Sequence, residues 1–156
     1  MRLTPYILLI SGSLVATNTL ADEYYKPVED PLTTRMCGTC HLAFSPQMLP
    51  ARSWEKIMQN LDQHFGKDAS LDAESTKKIE SYLKSHAADN NWIKGKFMRG
   101  LGDTTLTPIR ITETPYWIRK HDKRYLDYTW SNEKVQSKAN CLACHPRAAR
   151  GGYDDD

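Results

Sequence analysis

The 156-residue chain contains the motif Cys-x-x-Cys-His twice, and the two copies use all four of its cysteines. They comprise Cys37, Cys40 and His41 in MCGTCH, and Cys141, Cys144 and His145 in NCLACH. This motif is the attachment signal for a c-type haem, in which the cysteines form thioethers and the histidine binds iron. Because residues i, i+3 and i+4 share one face of a helix, we expect each motif to lie on a helix. The sequence therefore predicts two covalently bound c-type haems.

Paired cysteines at this spacing also occur in structural zinc sites, redox-active dithiols and disulfides. A zinc site would leave the two adjacent histidines without a role, and the chain shows no βαβ pattern of the thioredoxin kind. The haem interpretation uses every cysteine and both histidines, so it is favoured over all three alternatives.

The first 21 residues have the three parts of a secretory signal. Arg2 supplies the positive charge, residues 6–16 form a short apolar run, and small residues precede a cleavage site after Ala21. The run is about half the length of a membrane-spanning helix, although a signal retained as an anchor is the alternative. Cleavage would remove one of the 21 basic residues and none of the 19 acidic ones. We expect a periplasmic protein, and this near-neutral balance excludes a nucleic-acid-binding role.

The second axial position of each iron decides its role. If a protein ligand fills that position, the iron can only pass electrons, whereas an open position can bind small molecules. His64 lies on the apolar face of a helix predicted over RSWEKIMQNLDQHFG, residues 52–66. This position favours His64 as the ligand opposite His41. Met58 on the same face is the alternative ligand, and Met48 is a weaker one.

Two other histidines could serve the second haem. His86 falls on the apolar face of the helix predicted to follow, together with Ile79, Tyr82 and Leu83. His121 follows Trp117 and Ile118 by four and three residues, so all three are expected to flank one haem face. His121 could instead be a solvated residue of the basic run RKHDKR. The pattern alone does not choose between these histidines.

The chain is predicted to be mostly α-helical, with two units after the signal. Residues 22–93 form the first haem unit, and residues 94–156 form a linker and an irregular second unit that wraps its haem. Residues 22–35 are expected to be extended, and the tail GGYDDD is expected to be frayed. Helices are predicted over 37–41, near 51–64, near 73–87, near 115–123 and over 141–145.

Three stretches of the chain resemble the small periplasmic dihaem cytochromes c. They are CGTCHLAFSPQMLPARSWEKIMQNLDQHFGKDASLD, RITETPYWIRKH and ANCLACHP, within residues 35–148. The resemblance implies a small helical fold whose N-terminal unit is similar to class I cytochromes c. It also implies two bis-histidine haems, with His64 opposite His41 and His121 opposite His145, His86 being the runner-up for the second haem.

The resemblance further implies an electron carrier rather than an enzyme. Its partners would be a membrane b-type cytochrome and a small oxygen-binding monohaem cytochrome c. We expect transient docking by a monomer that relays single electrons between them. The alternative is a haem enzyme or gas sensor in which one iron is five-coordinate. Three histidines lie outside the two motifs, which is enough to supply a second ligand to both irons, so neither iron need be five-coordinate. No catalytic constellation is found in the sequence.

Overall fold

The computed structural model describes residues 23–90, 95–102, 105–121 and 127–154. The predicted signal and the predicted unit boundary at residues 93 and 94 lie outside these ranges. The described residues are mostly helical, as predicted, with no β-strand among them. The α-helices are α1 (Pro31–Cys37), α2 (Ala51–Met58), α3 (Ala73–Ser85), α4 (Pro115–His121) and α5 (Asp127–Trp130). Short 3₁₀ turns, among them Leu61–Gln63, Lys96–Met98 and Cys141–Ala143, lie between and after them.

Helix α1 begins earlier and ends earlier than the sequence pattern predicts. Asp30 caps it by accepting a 2.7 Å hydrogen bond from the Thr33 N–H, and Pro31 occupies the first turn. Residues 31–35 are therefore helical rather than extended. The helix ends at Cys37, and the Gly38 N–H donates to the Thr34 carbonyl at 2.9 Å. A Cβ atom on Gly38 would lie 2.5 Å from that carbonyl oxygen.

The expectation that both haem motifs lie on helices is wrong. Only Cys37 of the first motif is helical, and Cys40 lies in the turn that follows. The second motif begins in the 3₁₀ turn Cys141–Ala143. In this second motif the His145 N–H donates to the Cys141 carbonyl at 2.8 Å, so the backbone turns within the motif without a regular α-helix.

Helices α2 and α3 pack against each other over one hydrophobic core. Its buried residues are Leu49, Trp54, Met58, Ile79, Leu83 and Ala87. Helix α2 ends at Met58 rather than near residue 64, because Asn60 leaves helical geometry and its side-chain amide donates to the Lys56 carbonyl. Helix α3 begins where predicted, with Asp72 accepting from the Ser75 N–H at 2.9 Å. It ends at Ser85, two residues before the predicted end.

A second core joins the two haem-motif regions. It contains Tyr25, Met48, Ala88, Phe97, Met98, Leu101 and Tyr116. The Phe97 ring makes edge contacts with Tyr25 at 5.2 Å and with Tyr116 at 5.0 Å between ring centres. Residues 95–102, predicted to belong to a linker or wrapping loop, thus contribute buried side chains. The Arg52 guanidinium donates to the carbonyls of Leu101 and Leu106 and holds this segment against α2.

The two ends of the described chain pair with each other, and we call residues 23–25 and 151–154 the terminal clasp. The Tyr25 N–H donates to the Gly151 carbonyl at 2.9 Å, and the Tyr153 N–H donates to the Glu23 carbonyl at 2.8 Å. Glu23 also pairs with Lys120 of α4 at 2.6 Å. Burial alone would raise the pKa of Glu23, but hydrogen bonds from Lys120 and Tyr116 outweigh it and lower that pKa. Residues 151–154 are therefore ordered, contrary to the predicted frayed tail.

Within the described ranges, α3 is the longest α-helix, and no helix there is long and apolar enough to cross a membrane.

Gly100, next to Leu101 of the second core, is a position where a side chain is poorly tolerated. Its φ is +83°, and a Cβ atom would lie 2.8 Å from the Pro115 Cβ at the start of α4. We expect Gly100→Ala to lower the free energy of unfolding by about 2 kcal/mol, from left-handed strain and overpacking together. Chemical denaturation followed by circular dichroism measures this.

Gly102→Ala is the matched control, since no atom lies within 4 Å of a Cβ atom built there. We expect it to change stability by less than about 0.5 kcal/mol. Equal stability of the two variants would contradict the role given to Gly100.

Candidate haem sites

His41 and His64 face each other at the separation that one iron requires. Their ring centres are 6.1 Å apart and the ring planes differ by 20°. A metal–imidazole bond is about 2 Å long and the bonding nitrogen lies about 1 Å from the ring centre, so two axial imidazoles have centres about 6 Å apart. The His41 Nδ1–H donates to the Leu42 carbonyl at 2.7 Å, which leaves Nε2 for the metal. These residues therefore fit the first haem.

His121 and His145 form a second pair of the same kind. Their ring centres are 6.3 Å apart, but the ring planes differ by 84°. His121 ends α4, where its Nδ1–H donates to the Trp117 carbonyl at 2.9 Å and its ring stacks on Trp117 at 4.1 Å. The buried Nδ1 of His145 has no hydrogen-bond partner among the described residues. A buried imidazole nitrogen without a partner is unusual in a folded protein and fits a site that a bound prosthetic group completes.

His86, the runner-up for the second haem, lies elsewhere. It follows the last residue of α3, and its ring contacts Tyr82 at 4.5 Å while Nδ1 lies 2.9 Å from the Tyr82 carbonyl oxygen. The side chain is exposed, so the expectation that it points inward is wrong. The alternative ligands Met58 and Met48 are 5% and 2% exposed and belong to the two hydrophobic cores.

His64 occupies a reverse turn rather than the face of a helix. The Phe65 N–H donates to the Gln63 carbonyl at 2.8 Å, and the Lys67 N–H donates to the His64 carbonyl at 3.1 Å. Burial lowers the pKa of His64, and the nearby His41 and Arg110 lower it further. The imidazole is therefore neutral at pH 7, which is the form that binds a metal.

The four cysteines are not joined in disulfides. Burial raises the pKa of the Cys37 thiol, and burial raises that of Cys141 to about 11. A redox-active dithiol instead needs a low-pKa thiolate, so these two sulfurs are suited to a thioether in apolar surroundings. Across the described ranges, no three metal-binding side chains converge as a zinc site requires.

A cavity of about 830 Å³ is lined by residues of both haem motifs. Gly38, Cys40 and His41 of the first motif line it together with Cys141 and Leu142 of the second. Cavities of this size hold ligands as large as cofactors. The fold thus brings the two attachment motifs to the walls of one space.

Several residues that contact the histidine pairs were not identified from the sequence. Phe44 stacks on His41 at 5.0 Å, and its spacing three residues after His41 could have indicated it. Trp130 lies 6.2 Å from His121, and Tyr153 lies 5.6 Å from His145. Tyr153 could not be identified because it belongs to the tail that was expected to fray.

Trp117 and Ile118 were both expected to flank the same haem face as His121. Trp117 contacts His121 as expected, whereas Ile118 is 43% exposed.

The model of the dihaem cytochrome c family matches residues 33–153. The structure of a diheme cytochrome c from Rhodobacter sphaeroides is 46% identical, with a TM-score of 0.76, covering 81% of this chain and 98% of that one. A diheme cytochrome type c from Shewanella baltica OS155 is 37% identical, with a TM-score of 0.64, covering 80% of this chain and 86% of that one. No significant match is found among curated proteins. The helical fold and the haem cofactors predicted from the sequence are thus confirmed, and the chain belongs to the dihaem cytochrome c family, which holds two c-type haems.

Proposed function

We propose that this protein is a periplasmic bis-histidine electron carrier and not an enzyme. It would accept single electrons from a membrane b-type cytochrome and pass them to a soluble acceptor such as a small oxygen-binding monohaem cytochrome c. The observation that carries the proposal is the spacing of the two imidazole pairs, 6.1 Å and 6.3 Å between ring centres. Two imidazoles at this spacing leave no position for an added ligand, so each iron would exchange electrons only.

One histidine of each pair has a neighbour that orients it. The carbonyl of Leu42 orients His41, and the carbonyl of Trp117 orients His121, by accepting the Nδ1 proton in each case. Such hydrogen bonds fix the imidazole tautomer and hold the ring in place through a redox cycle. Bis-histidine ligation gives a lower haem potential than histidine–methionine ligation. Both haems are therefore expected at potentials below those of typical histidine–methionine cytochromes.

Transfer between the two haems would be direct. Support comes from the shared cavity, whose walls include Cys40 of the first motif and Cys141 of the second. Electrons would enter or leave where the motifs reach the surface, at the exposed Cys40 and Cys144. Leu142, between the two cysteines of the second motif, is 44% exposed. An exposed apolar side chain at this point suits a small, transient docking contact.

Carbon monoxide tests the ligation. We expect the reduced holoprotein to show the same visible spectrum with and without the gas, since both irons are six-coordinate. His64→Ala and His121→Ala should each open one iron and shift about half of the Soret intensity. His86→Ala is the matched control and should leave the spectrum unchanged. A wild-type protein that binds carbon monoxide would instead support the alternative, a haem enzyme or gas sensor with one open iron.

The different ring-plane angles should be visible in the electron paramagnetic resonance (EPR) spectrum of the oxidised protein. Near-parallel imidazoles, as in the 20° pair, separate two iron d orbitals in energy, whereas near-perpendicular ones, as in the 84° pair, leave them almost equal. The second arrangement gives the more anisotropic low-spin signal. We therefore expect two distinct ferric low-spin signals of equal weight, and a single signal for both haems would contradict the pairing.

The relay itself can be tested with isolated membranes. We expect quinol-reduced membranes that contain the b-type cytochrome to reduce the ferric protein, as followed by haem absorbance. Membranes from a strain lacking that cytochrome are the control and should not do so. Addition of the oxidised monohaem cytochrome c should then reoxidise the protein, and a protein that stays oxidised throughout would contradict this direction of flow.

A further inference from the structure

The turn that carries His64 has an unfavourable backbone conformation at its next residue. Phe65 has a φ of +53°, followed by Gly66 at +87°. Glycine adopts this left-handed region freely, but a bulky residue such as phenylalanine rarely does. Strained conformations of this kind persist where the surrounding contacts hold them in place, and they are concentrated at functional sites.

The Phe65 ring lies between the haem 1 ligand and a positive charge. Its centre is 4.7 Å from the centre of the His64 ring, and the Arg110 guanidinium carbon is 4.1 Å from the Phe65 ring centre. The second distance is that of a cation–π contact. Arg110 also pairs with Glu113 at 3.4 Å. Phe65 is 41% exposed, and the guanidinium covers part of its ring.

The distal ligands of the two haems are held in different ways. His121 belongs to a helix, donates to the Trp117 carbonyl and stacks on the Trp117 ring at 4.1 Å. Within the described ranges, the His64 ring makes no hydrogen bond, and its ring contacts are with His41 and Phe65. The orientation of His64 therefore depends on Phe65 to a degree that has no counterpart at His121.

We propose that Phe65 is the positioning residue for the distal ligand of haem 1 and that Arg110 holds Phe65 in that role. The proposal rests on the proposed function, in that His41 and His64 must be ligands of one iron. Breaking the Phe65–Arg110 contact would loosen His64, so that a small neutral ligand such as carbon monoxide could take the iron position that His64 would otherwise hold. This is a ligand exchange, with no change of oxidation state. Haem 2 stays closed because Trp117 holds His121 independently.

The test uses holoprotein variants that remove one part of this contact each. Phe65→Asn removes the ring and retains a residue that tolerates the left-handed backbone. Phe65→Tyr retains the ring and serves as the rescue variant. Arg110→Lys keeps the charge but loses the planar guanidinium that stacks on the ring. Arg99→Lys is its matched control, since Arg99 lies 6.0 Å from the ring centre of Tyr116, a residue that belongs to the second core.

Carbon monoxide binding to the reduced protein and the EPR spectrum of the oxidised protein are the two readouts. We expect Phe65→Asn to shift about half of the Soret intensity and to lose the signal of the near-parallel pair while keeping that of the near-perpendicular pair. Arg110→Lys should react with carbon monoxide at least several-fold faster than Arg99→Lys. Phe65→Tyr and Arg99→Lys should resemble the wild type.

Three results would overturn the proposal. The first is a Phe65→Asn variant that, like the wild type, does not bind carbon monoxide and that retains the EPR signals of both histidine pairs. The second is loss of the near-perpendicular signal instead, since the released ligand would then be His121. The third is a wild type that already binds carbon monoxide, which would refute the bis-histidine function as well. If Phe65→Asn holds neither haem, the exposed Arg110→Lys decides, and equal rates for it and Arg99→Lys would refute the proposal.

Discussion

The proposed bis-histidine ligation requires two imidazoles held about 6 Å apart, and both histidine pairs of this chain meet that requirement. In the sequence, one α-helix separates the two histidines of each pair. Helix α2 lies between His41 and His64, and α5 lies between His121 and His145. The order differs between the pairs, because the attachment motif comes first in one and last in the other. The helices are short, so packing between segments, rather than helical propensity, keeps each pair in register.

The segment that leads into α4 connects the two haem sites. Arg110 covers Phe65 beside the first pair, and Ile111 packs against both hydrophobic cores. Trp117, in the first turn of α4, stacks on His121 of the second pair. One short stretch of chain thus contacts the surroundings of both His64 and His121. These two histidines nevertheless differ in support, since His121 belongs to a helix and His64 to a strained turn.

The attachment motifs, the helical class and the starts of α3 and α4 could be predicted from the sequence, because each depends on local residue chemistry. The choice between His86 and His121 could not, since both follow apolar residues at helical spacing and only the folded chain places His121 opposite His145. The apolar pattern predicts a helix that continues to His64. The end of α2 at Met58 could not be predicted from it, because that end depends on the backbone conformation of Asn60. The order of residues 151–154 depends on pairing with residues distant in sequence, which no local pattern contains.

The terminal clasp brings the two ends of the described chain together through backbone hydrogen bonds. The Tyr25 N–H and the Gly151 carbonyl join segments at opposite ends of the described chain, and Gly151 fits there because a Cβ atom would lie 2.5 Å from the Tyr25 carbonyl oxygen. Tyr153, in the same clasp, reaches the His145 ring. The surroundings of His145 are therefore complete only when residues 151–154 have paired with residues 23–25. The pair His41 and His64 depends instead on a segment that follows α3, from which Arg110 reaches Phe65 beside His64.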